Sequence, residues 1–230
     1  MRAARAGQPE ALAALLTAGA DTNLKGDRDR TALHEAIYGK ANEPCIRMLI
    51  DAGAEVNAVH DRRSTPLDLA AFLGKTEIVR ILIESGADVD AGEYTSPIRG
   101  AVVQKHTEIV RILLEAGADV TDPNLRLVDT AISDRDAEML ELLLAHGAPC
   151  ASGEWSLPAL HRAVNGRSTA VVRVLIAAGV DPAVKDRNGE TALDGAWRLR
   201  DHYDGYDEII EILTRAVEEW NRSHGGEADR

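Results

Sequence analysis

Phenylalanine occurs once in this chain of 230 residues, and aromatic side chains as a whole reach only 3%. Hydrophobic residues still make up 45%, an ordinary share for a folded protein, which excludes wholesale disorder. A single round core of this size would use more large rings to fill its centre. A core of Ala, Leu, Ile and Val points to thin layers packed close together. Cysteine occurs twice. Cys45 and Cys150 are far apart and lack CxxC spacing, which excludes a disulfide framework and a Cys-based zinc site from either alone. Long apolar runs are also missing: none approaches the ~18 residues of a membrane span. Near the N-terminus Gly7, Gln8, Pro9 and Glu10 interrupt what could have been a signal segment, so a cytoplasmic location is expected. The 26 basic residues are outnumbered by 38 acidic ones, for a net charge of −12. That balance argues against nucleic acid and anionic membranes as partners. It favours a basic partner modestly, with plain solubility the simpler explanation.

What the chain does have is self-similarity. A Gly-Ala-Asp turn or near variant recurs at Gly19, Gly53, Gly86, Gly117, Gly147 and Gly179, separated by 34, 33, 31, 30 and 32 residues. Before the turns stand Ile78-Val79-Arg80-Ile81-Leu82-Ile83, Ile109-Val110-Arg111-Ile112-Leu113-Leu114, Met139-Leu140-Glu141-Leu142-Leu143-Leu144 and Val171-Val172-Arg173-Val174-Leu175-Ile176. One charged position among apolar neighbours predicts a helix buried over most of its circumference with one solvated stripe. The glycine after it suits a left-handed C-cap. Upstream of these helices lie Thr31-Ala32-Leu33-His34, Thr65-Pro66-Leu67-Asp68, Ser96-Pro97-Ile98-Arg99, Pro158-Ala159-Leu160-His161 and Thr191-Ala192-Leu193-Asp194. A hydroxyl followed by Pro reads as a helix start, the hydroxyl capping free N–H groups. Ala36, Ala70, Ala101, Ala163 and Ala196 follow and let neighbouring helices approach closely. Each unit reads as loop, short helix, turn, longer helix, Gly turn.

On these motifs the sequence resembles the ankyrin-repeat family, with Thr65-Pro66-Leu67-Asp68 through Gly86-Ala87-Asp88 following the family pattern closely. The resemblance implies an all-α ankyrin-repeat solenoid of about seven helix-turn-helix units with β-turn loops. A single domain over 1–220 is expected, with units near 1–26, 27–60, 61–91, 92–121, 122–151, 152–184 and 185–220, and a polar tail at 221–230. Departures from the pattern are as informative as matches. The first unit begins inside its first helix, and the fingers at 89–95 and 120–125 are clipped. Arg126-Leu127-Val128-Asp129 replaces the usual helix entry, and the last inter-helix loop is lengthened by 201–206. Glu77/Arg80 and Glu108/Arg111 read as i,i+3 surface pairs.

No motif for nucleophilic, phosphate-binding, dinucleotide-binding or zinc-protease chemistry occurs, so no enzyme and no cofactor are expected. His34 and His161 fill the family's His slot, where the imidazole bonds loop backbone. His202, between Asp201 and Asp204, lacks a second His or Cys nearby, and no metal site is expected. Cys45 and Cys150 lack a neighbouring base and read as small core or loop thiols. What remains is recognition. The resemblance implies contacts from finger tips and from helix positions beyond the Ala pair on the concave face. Carried onto this sequence these are Arg28, Arg30, Tyr38, Asp61, Arg62, Phe72, Leu73, Glu93, Tyr94, Val103, Gln104, Glu154, Trp155, Arg187, Asn188 and Arg198. The expected function is binding of another protein by a monomer. The alternative is a regulatory, inhibitory or targeting subunit or fragment of a larger protein or of a toxin or enzyme complex, suggested by the start in mid-helix.

Overall fold

The computed structural model describes residues 1–40, 42–61, 63–92, 96–150 and 157–224. The described residues are helical, with one isolated antiparallel bridge, Lys185 to Thr191, in a hairpin. The chain divides into two compact units, Met1–Asp119 and Val120–Arg230.

In the first unit, short helices α1 (Arg2–Ala6), α3 (Ala32–Tyr38), α5 (Pro66–Phe72) and α7 (Pro97–Val103) pack side by side as one row. The nine-residue helices α2 (Pro9–Thr17), α4 (Glu43–Asp51), α6 (Thr76–Glu84) and α8 (Thr107–Glu115) form the other. We call these the inner and outer rows. The second unit repeats the plan with α9 (Leu127–Ser133), α11 (Ala159–Asn165) and α13 (Ala192–Arg200) inside, and α10 (Ala137–Ala145), α12 (Thr169–Ala177) and α14 (Asp207–His224) outside.

Helices of two turns are marginal by themselves in water, so caps and packing must hold them. Thr65 and Asp68 form a reciprocal box: the Thr65 hydroxyl accepts the Asp68 N–H at 3.2 Å, and the Asp68 carboxylate accepts the Thr65 N–H at 3.1 Å. Thr191 and Asp194 repeat it, and Thr31 pairs likewise with His34. The hydroxyl reading fails at Ser96, whose side chain makes no cap bond, and Pro158 has none to offer. Proline at the start of α7 and burial of Ile98, Ala101 and Val102 suffice there. The irregular fifth entry also forms its helix: a 3-10 turn at Pro123–Leu125, stopped by Arg126 at φ 53°, aims the chain into α9.

The outer helices end as the Gly spacing predicts. Gly53, at φ 84°, turns the chain so that the Ala54 N–H returns to the Leu49 carbonyl at 2.9 Å. A link that the spacing does not reveal then ties successive turns together. Asn23 accepts the Glu55 N–H at 2.8 Å and donates to the Gly53 carbonyl at 2.9 Å. Asn57 does the same to Asp88 and Gly86, at 2.9 and 3.3 Å, and Asp90 accepts the Asp119 N–H at 2.9 Å.

Core and composition agree. The bulkiest fully buried side chains are Leu33, Ile37, Ile46, Leu67, Leu82, Ile98, Leu113 and others of that kind, none of them aromatic. Ala36, Ala70, Ala101 and Ala196 are fully enclosed between neighbouring helices. Among the described aromatics only Tyr206 is buried. The outer-row charges pair between repeats more tightly than within a helix: Arg80 reaches Glu108 at 2.7 Å, against 4.0 Å for Glu77–Arg80 and 3.9 Å for Glu108–Arg111.

Candidate functional site

Helices α3 and α5 bury nearly everything except their last residues. In α3, Ala32, Leu33, Ala36 and Ile37 are buried while Tyr38 emerges; in α5 everything from Pro66 to Ala71 is buried, and then Phe72 emerges. In α7, Val102 is buried and Val103 emerges. Tyr38, Phe72 and Val103 occupy the same repeat position, so the stacking of α3, α5 and α7 lines them up. They share a groove of ≈230 Å³ with Leu69, Gly100, Arg99, Ser96, Asp68, Ser64 and His60. Phe72 is 48% exposed and Val103 44%, too open to owe their place to core packing. Leu73 is exposed at the end of the same helix, and Gln104 is exposed beside Val103; neither lines the groove.

The fingers supply the upper wall. Arg30 lies with its guanidinium 4.2 Å from the centroid of the Tyr38 ring and bonds Glu35 at 3.3 Å. Glu35 also receives Arg5 at 3.1 Å. With its side chain 15% exposed, Arg30 braces the ring and is only slightly open to a partner. Arg28, exposed and in the left-handed region at φ 58°, uses its carbonyl to accept the Asp61 N–H of the next finger at 3.1 Å. Asp61 in turn sits 2.9 Å from Nδ1 of His60. The buried His60 and His34 rings meet edge to face at 5.2 Å. Burial first, and then the neighbouring His60 and Arg30, bring His34 down to a pKa of about 4, opposed by the nearby Ser64 and Ala58 carbonyls.

Six side chains occupy the fourth position of the inner-helix entry, and Arg99 stands apart from the rest. Asp68 and Asp194 cap their helices, and His34 bonds Thr31. Asp129 pairs with Arg126 and Arg162. His161 bonds the Glu190 carbonyl of the next loop at 2.9 Å, as its slot predicts. Arg99 is exposed and has no hydrogen-bond or ion-pair partner among the described residues. The sequence shows an arginine in a slot whose other occupants are Asp or His, and that mismatch was the signal available for it.

Arg187, Asn188 and Arg198 belong to the second unit. There Asp186 accepts the Asn188 and Glu190 N–H groups at 2.8 and 3.0 Å, and Arg198 pairs with Glu190 at 3.3 Å. Arg62, Glu93, Tyr94, Glu154 and Trp155 lie outside the described residues. Trp197 and Tyr203, which sequence reasoning passed over, are 48% and 55% exposed, with Arg200 5.2 Å and Arg167 5.6 Å from their ring centroids. Among the described residues no cluster of His, Cys, Asp or Glu could hold a metal ion, and no helix is long and apolar enough to cross a membrane. Burial pushes the Cys45 and Cys150 thiols up, away from the reactive thiolate.

Stacked helix pairs joined by Gly turns, with one exposed edge of inner helices and fingers, define an ankyrin-repeat architecture. Family models described as ankyrin repeats match residues 1–93, 96–125 and 151–196. The chain belongs to the ankyrin-repeat family. It is 31% identical over 218 residues to an ankyrin repeat and KH domain-containing protein, mask-1, of Caenorhabditis elegans, covering 93% of this chain and 8% of that protein. The human ASB11 ankyrin repeat domain superimposes with a TM-score of 0.73 and 28% identity, covering 94% of this chain and 96% of that domain. The ankyrin repeat domain of Bcl-3 does so with a TM-score of 0.71 and 25% identity, covering 90% and 91%. Ankyrin-repeat domains are in general modules for binding other proteins.

Proposed function

We propose that the chain is a non-catalytic module that docks a partner protein on its finger and inner-helix face, with the groove of the first unit as the anchor. The carrying observation is the convergence of Tyr38, Phe72 and Val103, exposed and apolar, at one repeat position. Isolated exposed apolar residues need no explanation, but a contiguous group rimmed by polar residues does. Arg28, Asp61, Leu73 and Gln104 extend this surface in the first unit. Arg187, Asn188 and Arg198, together with Arg62, Glu93, Tyr94, Glu154 and Trp155, are further contacts on the same kind of face. A cytoplasmic monomer over 1–220 fits the two unpaired cysteines.

The acidity that suggests a basic partner is concentrated away from the groove. In the first unit the outer row carries Glu10, Glu43, Asp51, Glu77, Glu84, Glu108 and Glu115 against Arg47, Arg80 and Arg111. A basic surface would meet that row and not the groove. The second reading is that the module regulates, inhibits or targets a larger protein or complex. It is favoured by the small share, 8%, that the matched region occupies in the Caenorhabditis elegans relative.

Affinity capture from the source cells, comparing the chain with its Tyr38→Ala/Phe72→Ala variant, tests the proposal. Partners lost from the variant, with helical circular dichroism unchanged, support it. An identical set of captured proteins overturns it.

A further inference from the structure

Asp68, the acidic residue that lines the groove, and its neighbours Glu35 and Asp61 are already engaged. Asp68 caps α5, Glu35 holds Arg5 and Arg30, and Asp61 meets His60. Lys75, at the turn beyond Phe72, donates to the Gly39 carbonyl at the end of α3 at 2.9 Å. Arg99 is left as a cation without a protein counter-charge among the described residues, on the groove wall with Phe72 and Val103. An apolar wall beside a guanidinium lowers the local dielectric and strengthens pairing with an incoming carboxylate. At ≈230 Å³ the groove is smaller than the roughly 300–1,000 Å³ of pockets that enclose whole small molecules, and it suits side chains of a peptide.

We propose that this groove takes a peptide segment of a partner protein in which an aliphatic or aromatic residue lies next to an aspartate or glutamate. The apolar side chain packs among Tyr38, Phe72 and Val103, and the carboxylate pairs with Arg99. The bulk acidity of the chain obscures this preference because it lies largely on the outer row. Gly100 keeps the floor low: a Cβ there would stand 3.6 Å from Phe72, in ordinary contact, and would fill space that the guest otherwise takes. The proposal rests on the reading of this face as the docking surface, and adds the chemistry of what docks.

Selection of a displayed random-peptide library on the purified chain tests both, followed by affinity measurement with the synthesised winners. Enrichment of Asp or Glu beside Leu, Ile, Phe, Tyr or Trp is expected. Binding of those peptides should fall about tenfold or more in Arg99→Gln. It should also weaken with added salt, and selection on Arg99→Glu should turn to Lys or Arg. Arg99 is exposed, so these variants keep their fold, checked by circular dichroism. Winners without an acidic bias that are lost in Phe72→Ala but unaffected by Arg99→Gln overturn the acidic partner and leave the docking face standing. Winners insensitive to both changes, or no winners, overturn the docking face as well. Self-association of the chain abolished by Phe72→Ala assigns the groove to a second copy and likewise overturns the proposal.

Discussion

The two units expose the same end of each inner helix and dress it with opposite chemistry. The first presents Tyr38, Phe72 and Val103; the second, at the same repeat position, presents Ser133, Asn165 and Arg198, all of them exposed. Both units build this position alike, one residue beyond a side chain that closes the core in every repeat but the last. Folding therefore places little demand on it, and Ser, Asn and Arg serve as well as Phe. Three large apolar residues at a position that tolerates polar ones reflect something other than stability. In a chain with a single Phe, its placement there is the more informative.

Acid offers the largest way to break the parallel. The first unit packs His34 edge to face against His60 in its interior. Folding keeps His34 neutral down to about pH 4, whereas in the unfolded chain it charges near 6.5. Between those values the unfolded state binds more protons, so stability is full above about 6.5 and falls as pH drops toward 4. The loss amounts to about 3 kcal/mol. Hydrogen exchange should show α3 and α5 losing protection over that window, and His34→Asn should flatten the dependence while lowering stability throughout. A wild-type profile that is flat from pH 6.5 to 4 would contradict the environment assigned to His34.

The groove comes next. Phe72→Ala should weaken a groove-bound partner by roughly thirtyfold, about 2 kcal/mol for a buried aromatic anchor. Asn165→Ala, its counterpart in the second unit, should change affinity by less than about twofold. Titration calorimetry with any captured partner gives both numbers. Equal losses at the two positions would mean that the apolar trio carries no special role.

Helix caps sharpen the contrast at a smaller scale. Thr65 is 1% exposed, whereas Thr191 is partly open to water that can replace its bonds. Thr65→Ala should cost about 1–2 kcal/mol and Thr191→Ala about half as much, measured by urea unfolding. A larger cost at Thr191 would show that the last repeat leans on its cap more than its exposure suggests.

The architecture was legible because its signals are local and periodic. A left-handed turn calls for Gly, an inner helix starts at Thr-Pro, and close helices need Ala, so each leaves a mark at fixed spacing. Even α9, which lacks the usual entry, could be placed from the helix and Gly turn that follow it. The candidate site was half legible. Tyr38, Phe72 and Val103 follow from repeat position alone. By repeat position Arg30 reads as an open contact, but the finger bends through positive φ at Arg28 and Asp29 and lays its guanidinium on Tyr38. No residue spacing encodes that fold-back. Arg99 escapes sequence reasoning for the opposite reason: what sets it apart is the pairing it lacks among the described residues, and pairing is a property of three-dimensional neighbours. The Asn23, Asn57 and Asp90 links escaped notice because each joins residues about one repeat apart.

The smallest effect is the best control on the whole comparison. On the outer row the two units look alike: Arg80 bonds Glu108 at 2.7 Å in the first, and Arg173 bonds Glu208 at 2.8 Å in the second. All four side chains are well exposed, so each pair gains little Coulomb energy and gives up side-chain freedom to form. Double-mutant cycles should find about 0.2–1 kcal/mol in either unit, declining with salt over the range in which the Debye length shrinks to a few ångström. Equal values would confine the difference between the units to the inner row. A pair markedly stronger in one unit would mean that their scaffolds differ too, and part of any effect at Phe72 would then have to be assigned to the stability of its unit and not to the partner it meets.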